Sequence, residues 1–440
     1  MPIFFQKIQT KLQHSLKNPH FKYGLPFLSF VFIGWYILQN TQACRFDLSN
    51  QGSLTRKELQ AHGFNVPDSI APIEEVYEEM KDVAKKDWEN IRLICSVQKY
   101  HWGSKGNESL VGKFAEANSN LKINSDESYA EFWMGTHPSG PSYLKNNNLE
   151  LSAYLSSNPE ALGTEVISKF GKNLPFLFKI LSVDKPLSIQ AHPTKSLAEK
   201  LFIQNPDLYK DSNHKPEIAI AVSKFEALCG FRPKVEIQKF LKEIDEFHLL
   251  IEKDKLFEFL NTPNDDNFKE CFKSLMSNQD NVVAKATESL IQRLEKLNDK
   301  EIYLYSLVRR IHSSFPNDVG IFCVYWLNYL VLSPGEALYL APNEPHAYLK
   351  GNCIECMSNS DNVVRAGLTP KFRDVQTLCK MLTYKNYLPQ EILFSPLVED
   401  DYTLLYSPPI DDFAVAKVTL PENCQYTLKT RQSASILLPL

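Results

Sequence analysis

The sequence predicts a mainly β fold interrupted by an α-helical insertion and preceded by one membrane-type segment. Three observations predict it. Residues 23–39 carry no charge; short apolar strands separated by Pro, Gly and Asn recur beyond residue 93; and between residues 233 and 315 the apolar period changes from strand-like to helical. With 440 residues, 43% of them apolar, the chain is long enough for two or three domains with substantial cores. The expected division is 1–92, 93–232, 233–315 and 316–440.

The first segment reads YGLPFLSFVFIGWYILQ from Tyr23 to Gln39, preceded by Lys7, Lys11, Lys17 and Lys22 and followed by Arg45 and Asp47. Its length is at the short end of what crosses a bilayer, and Tyr23, Trp35 and Tyr36 can sit at the interfaces. A single transmembrane helix over 23–39 is therefore expected. A charged helix follows, Glu74-Glu75-Val76-Tyr77-Glu78-Glu79-Met80, running towards Trp88-Glu89-Asn90-Ile91-Arg92, with too little apolar surface for a core of its own.

From about Gln98 the texture is that of a soluble enzyme. Strand-like segments include Asn173 to Val183 and Ile218 to Val222. Ile237, Phe240, Leu241, Ile244 and Phe247 then follow the i, i+3, i+4, i+7 stripe of a helix, as do Ile291, Leu294 and Leu297. Alternation returns with Phe322, Val324 and Trp326, and Pro334-Gly335 precedes a further strand through Leu340. A β-barrel or sandwich with a helical insertion of about eighty residues accounts for this order.

Composition excludes several classes. A formal net charge of -4, with no Lys/Arg run interleaved with aromatics, gives a nucleic-acid role little support. Nine cysteines without a regular framework favour reduced thiols. Cys353 and Cys356 form a lone CxxC, which reads as two core thiols and not as a zinc ribbon. Neither GxGxxG nor GxxxxGK[ST] occurs.

The chemistry concentrates around Ser188-Ile189-Gln190-Ala191-His192-Pro193. On a strand, Gln190 and His192 point to one face about 7 Å apart at the backbone, close enough to share a metal ion. Such a pair is ordinarily a solvated face, so further ligands are needed. In His214-Lys215-Pro216-Glu217, just before an apolar strand, Glu217 can turn inward, and in Asn343-Glu344-Pro345-His346 a turn can present His346 beside the first strand pair. Taken singly, Glu217 and Lys215 read as surface residues and His346 as a loop residue. Together, Gln190, His192, Glu217 and His346 offer one divalent ion, zinc or a similar cation, four ligands with one negative charge.

Two resemblances organise these readings. Lys17-Asn18-Pro19-His20-Phe21-Lys22-Tyr23-Gly24-Leu25-Pro26-Phe27, the span and Asp87-Trp88-Glu89-Asn90-Ile91-Arg92 resemble the small mitochondrial inner-membrane assembly factors of cytochrome c oxidase. That implies a location and a class of assembly partner, and no enzymatic residue. Tyr129 to Gly140 (YAEFWMGTHPSG), SIQAHPTK, NHKPEIAIA, FEALCGFRP, NEPHAY and Asp361 to Lys371 (DNVVRAGLTPK) resemble the type I phosphomannose isomerases, continuously from about Gln98 to the C-terminus. The resemblance implies cupin-like jelly-roll barrels and interconversion of mannose 6-phosphate and fructose 6-phosphate, supplying GDP-mannose synthesis and glycosylation. It also places Gln190, His192, Glu217 and His346 at the zinc-ligand positions and Arg365 at that of the catalytic arginine.

Physical chemistry agrees. Aldose to ketose conversion passes through an enediol whose oxygen charge needs stabilising, a task suited to zinc and to Arg365, which does not readily lose its proton. Ser188, Lys179, Lys215 and Lys371 are expected at the phosphate end, where a dianion needs several donors, with Trp102 and Asp361 as further substrate contacts. The base stays open among His101, His137, Asp361 and a metal-bound water. Ser433 to Leu440 is expected as a strand entering a last barrel that relatives extend further, which would leave a sheet edge exposed. The rival expectation is a membrane-tethered mitochondrial assembly protein whose barrel binds without catalysis. Location follows the same split: cytoplasmic for an isomerase, the mitochondrial inner membrane if the first segment directs targeting.

Overall fold

Period-two alternation organises the sheets of the computed structural model, which describes residues 91–119, 121–422 and 424–440. The expected span and the charged helix leading up to residue 90 lie outside the described residues. Among the described residues no helix is long and apolar enough to cross a membrane. The principal strands are β1 (Ser96–Gln98), β2 (Glu131–Met134), β3 (Phe176–Val183), β4 (Ile189–Ala191), β5 (Glu217–Ala221), β6 (Phe225–Phe231), β7 (Leu327–Leu332), β8 (Ala337–Leu340), β9 (His346–Ser358), β10 (Val364–Gly367) and β11 (Leu393–Phe394). One antiparallel path runs β11, β8, β5, β9, β3, β2, β1; β6 and β4 flank the start of β9, and carry β7 and β10 in turn.

The thirteen-residue β9 is shared between two groups of strands. Its first half pairs with β4 and β6, its second with β3 and β5. The junction falls at Gly351, where φ is +110° and a Cβ would collide with the Lys224 carbonyl oxygen, so that glycine alone fits.

Alternate residues of these strands enter different layers. Ile180, Ile218, Ile220 and Ile354 face outward and pack with Val111 of α1 (Leu110–Ser119) and with Tyr406 and Phe413 of the C-terminal region. Leu181, Ala219, Ala221 and Cys353 face inward and meet Ala227, Cys229, Leu330 and Tyr348 between the strand groups. On the second group Ile189, Ala191, Ala347, Leu349, Val364 and Ala366 face out and join the core of the helical insertion.

Helices fill residues 234–314. They are α2 (Lys234–Glu243), α3 (Phe247–Leu250), α4 (Lys253–Asn261), α5 (Asp265–Met276), α6 (Asp280–Glu295) and α7 (Tyr305–Ser314), with one short 3₁₀ turn at Lys300–Tyr303. Ile237 and Leu241 are the buried stripe of α2, while Ile244 and Phe247, on the same sequence period, are buried across the break into α3. At the start of α5 the Asn264 side chain accepts from the Asn267 N–H at 2.8 Å, with Asp265 and Asp266 beside the positive end of the helix. Phe259, Phe268, Phe272 and Trp326 stack and tilt against one another at 5.2–6.2 Å. Each such buried ring contributes roughly 1.5–3 kcal/mol.

Two sequence expectations are corrected. Phe322, Val324 and Trp326 do not lie on a strand: Gly320–Cys323 is a short helix, a turn follows, and β7 begins at Leu327. Every residue from Ile321 to Leu327 is buried, and period loses its meaning where all sides are covered. Ser433 to Leu440 forms no strand, Ile436 and Leu438 packing on the core while Leu437 and Leu440 are exposed.

In the insertion, Glu246 is 3% exposed and accepts from the Arg293 guanidinium at 2.7–3.1 Å and from Ser289 at 3.0 Å. Burial opposes its charge, but Arg293 and Ser289 hold the carboxyl below its ordinary range. A depressed folded-state pKa stabilises above the unfolded value, and that contribution is lost as pH falls through the folded one. Glu246→Gln is expected to cost about 1–3 kcal/mol at pH 7, Arg293 being partly solvated, with the gap to wild type closing below about pH 4. Denaturant unfolding at both pH values measures this, and a gap of equal size at low pH would show that charge is not its source.

Candidate metal centre

The starts of β9 and β5 and the end of β4 bring the candidate ligands together. His346 opens β9 opposite Gln190 of β4, and Arg365 of β10 faces Gln190 from the other side. Directly opposed residues share a face with Cβ atoms about 4.5–5.5 Å apart, so Arg365, Gln190 and His346 form one row. Glu217 opens β5 between Leu340 and Met357, and His192 follows β4 by one residue. His192 Nε2 lies 3.4 Å from Glu217 Oε1 and His346 Nε2 3.5 Å from Glu217 Oε2. One ligand atom from each of the three lies within 4.8 Å of the others.

Polar satisfaction tests whether a cation fits. The three side chains are 1–2% exposed, yet both Nε2 atoms and Glu217 Oε2 have no hydrogen-bond partner. His192 Nδ1 faces the Asn362 carbonyl at 2.7 Å and His346 Nδ1 the Glu344 carbonyl at 3.0 Å. A carbonyl only accepts, so each Nδ1 carries the proton and each Nε2 presents a lone pair inward. Buried lone pairs left bare are costly, and a cation at their centre removes the cost. Two imidazoles, a carboxylate and the neighbouring Gln190 amide suit zinc.

Charge agrees with this donor set. Burial lowers the His192 pKa to about 4 against the opposing pull of Glu217, so the ring is neutral at physiological pH. Burial works to raise the Glu217 pKa, but Lys215, with Nζ 3.2 Å away, holds the carboxyl well below its ordinary range.

A second polar group lies on the inner face, of which the sequence singled out only Lys179. Ala219, Glu355, Lys179 and Trp133 are opposed in register across β5, β9, β3 and β2. Lys179 Nζ stands 3.0 Å from Glu355 and 3.3 Å from Glu131, and 5.0 Å from the Trp133 ring centre. The Tyr348 hydroxyl donates to Glu355 Oε1 at 2.8 Å. Burial acts against the Lys179 charge, but the surrounding carboxylates hold its pKa up; burial also raises that of Glu355, which Lys179 only partly offsets. The available signal was Glu355 itself, a lone charge inside the apolar run Cys353-Ile354-Glu355-Cys356-Met357.

The other expected residues are distributed as follows. Ser188 is half-buried, two residues before Gln190 and so towards the same face. Arg365 is partly buried, and burial, its one resolved influence, lowers its pKa; no carboxylate pairs with it among the described residues. Lys179, expected at the phosphate, instead has its ammonium enclosed by Glu131 and Glu355. Asp361 is exposed, 3.3 Å from Nε2 of the buried His137, and His101 is exposed. Trp102 stacks on Tyr100 at 5.8 Å and packs on the inner cluster. Lys371 is exposed and lines a cavity of about 1030 Å³ with Lys273 and Arg373, none of whose lining residues is a candidate ligand.

Comparison with known proteins agrees with this geometry. The family profile for the phosphomannose isomerase type I catalytic domain matches residues 91–234, that for its helical insertion domain residues 242–327, and that for the type I C-terminal region residues 403–440. The profile for cytochrome c oxidase assembly protein COX16 matches residues 21–94. Mannose-6-phosphate isomerase of Homo sapiens is 45% identical over 363 residues, which cover 79% of this chain and 86% of the human protein; that of Mus musculus gives the same figures. A crystal structure of mannose 6-phosphate isomerase bound with zinc and yttrium superposes with a TM-score of 0.65 at 34% identity, over 74% of this chain and 82% of that one.

Replacing Glu217 by Gln removes the anionic donor while keeping the shape of the site. Metal analysis of the purified variant is expected to find the zinc content reduced from about one ion per chain to a small fraction. Full retention would exclude Glu217 as a ligand.

Proposed function

The chain belongs to the type I phosphomannose isomerases, and we propose a division of labour among its residues for the zinc-dependent interconversion of mannose 6-phosphate and fructose 6-phosphate. It is an intramolecular oxidoreductase. The observation that carries the reading is the trio of unsatisfied, buried ligand atoms beside Arg365, which shares one strand row with Gln190 and has no carboxylate partner among the described residues.

The reaction moves one proton from C2 to C1 of the open-chain sugar, while the carbonyl oxygen gains a proton and the C2 hydroxyl loses one. No external oxidant or reductant is required. Gln190, His192, Glu217 and His346 would hold the zinc, which supplies a Lewis acid for the two substrate oxygens when bound. Arg365 stabilises the developing enediol charge; among the described residues its guanidinium has no internal carboxylate to give up first. We read Glu355 as the proton carrier: burial raises its pKa above the ordinary carboxylate value, and Tyr348 and Lys179 orient its two oxygens. Lys179 is then a positioning cation for Glu355 and Glu131, which leaves Ser188, Lys215 and Lys371 for the phosphate and Trp102 and Asp361 for the sugar.

The architecture is read as cupin-like jelly-roll sheets, catalytic over 93–232 and 316–440 with the insertion at 233–315. The match over residues 21–94 supports a separate reading of the first segment, as a single membrane span at 23–39 with cytochrome c oxidase assembly partners and a mitochondrial inner-membrane location. Without that segment's targeting, the isomerase part is read as cytoplasmic. Fractionation of the full-length chain separates the two.

A coupled assay with mannose 6-phosphate is expected to show turnover that a chelator abolishes and zinc restores. Arg365→Ala is expected to lower kcat by about 10²–10³-fold, the scale of one lost oxyanion donor, with its fold intact. Full turnover by that variant would remove Arg365 from the chemistry. Glu355→Gln should lower kcat more than it changes KM, and an unaltered pH profile in that variant would exclude it as the proton carrier.

A further inference from the structure

We infer that Asp211 is a positioning residue for the metal centre, acting on His192 through the backbone carbonyl of Asn362. The inference rests on His192 being a zinc ligand. Asp211 lies on the loop after the helix Lys195–Gln204, and its carboxylate fastens three consecutive residues of another loop. Oδ2 accepts from the Asp361 N–H at 2.8 Å, and Oδ1 from the Ser360 hydroxyl at 2.9 Å and the Asn362 side-chain amide at 3.2 Å. The same amide donates to the Asp211 carbonyl at 2.7 Å and the Asn213 carbonyl at 2.9 Å. Asn362 is 1% exposed and Ser360 3%.

Residues 359–363 join β9 to β10 and belong to no strand, so no sheet ladder sets the direction of their carbonyls. The Asp211 bonds are among those that do. The Asn362 carbonyl holds His192 Nδ1 at 2.7 Å, and that contact decides both which ring nitrogen carries the proton and where Nε2 points. Two residues beyond Asn362, β10 begins and carries Arg365. The network therefore links loop geometry to ligand geometry. Bonds to an ionised acceptor are stronger than neutral ones, and an amide in place of the carboxylate would turn an N–H donor towards Ser360 or Asp361, which are themselves donors.

The test is zinc affinity of the full-length chain, measured with a competing chelator, with melting temperatures of the zinc-free and zinc-loaded forms. Outer-shell changes typically cost 10–100-fold in affinity, and Asp211→Asn, one step further out, is expected to raise the zinc dissociation constant by about tenfold and to shrink the zinc-induced rise in melting temperature. A merely structural role would lower the zinc-free melting temperature and leave affinity within about twofold, and that result overturns the proposal. Should Asp211→Asn not fold, Ser360→Ala, which removes one bond from the carboxylate, is expected to weaken zinc by about threefold; an unchanged constant counts against the proposal equally. His192→Ala separates the two readings. If it binds zinc as wild type does, the ligand assignment fails and the proposal with it; if it loses zinc while Asp211→Asn keeps it, Asp211 alone is refuted.

Discussion

A buried carboxylate, Glu217, is the constraint on which the rest of the structure depends. At 2% exposure an ionised oxygen needs a positive partner, and Lys215 reaches Oε1 but leaves Oε2 without a hydrogen bond. The facing His192 imidazole does not supply the missing charge, since burial keeps it neutral with its Nδ1 proton committed to a carbonyl. A divalent ion among the three satisfies every group at once. The unsatisfied atoms are thus a donor set suited to a cation, and not a sign of poor packing.

Meeting that constraint requires groups distant in sequence to converge, and the shared strand β9 achieves it. It opens with His346 between β4 and β6, turns at Gly351, and returns through Glu355 between β5 and β3. The inward parity of β9 switches at Gly351, with His346 and Tyr348 inward before it and Cys353 and Glu355 after it, so that Gln190, Glu217, His346, Glu355, Lys179 and Arg365 all turn to the same interior. Apolar residues share the charged rows: Leu340, Met357 and Leu177 lie in that of Glu217, and Ala221, Cys353 and Leu181 in that of Glu131. These exclude water and strengthen every charge interaction between them.

Much of this was legible in the sequence where a residue's neighbours also reported its surroundings. Glu217 precedes a wholly apolar strand, and the turn Asn343-Glu344-Pro345 directs the chain back at His346, so position in the motif implied direction. Lys179 was not legible in this way. In Phe176-Leu177-Phe178-Lys179-Ile180-Leu181 a lysine reads as the solvent side of a strand, and nothing local shows that β2 and β9 flank it and that Glu131 and Glu355 wait across the ladder. Its pairing is a property of register, fixed in part by Glu355, 176 positions away. Phe322 to Trp326 failed for a different reason: burial on all sides removes the polar half of the pattern on which period depends. The Asp211 network is subtler still, since an Asp in a polar loop is ordinarily solvated.

The helical insertion belongs to the same argument. Its core takes in the outward residues of the very strands whose inward residues form the site: Ile189 and Ala191 flank Gln190, Ala347 follows His346, and Val364 and Ala366 flank Arg365. With those outer side chains locked among close-packed helices, the inner ones lose rotational and translational slack, because in a pleated strand the two faces move together. Ligands held this way meet the ion with little reorganisation, which is what a site needs if its electrostatics are to act on a transition state and not be spent on ordering itself. The insertion is therefore the rigid backing of the metal centre, although it contributes none of the candidate ligands.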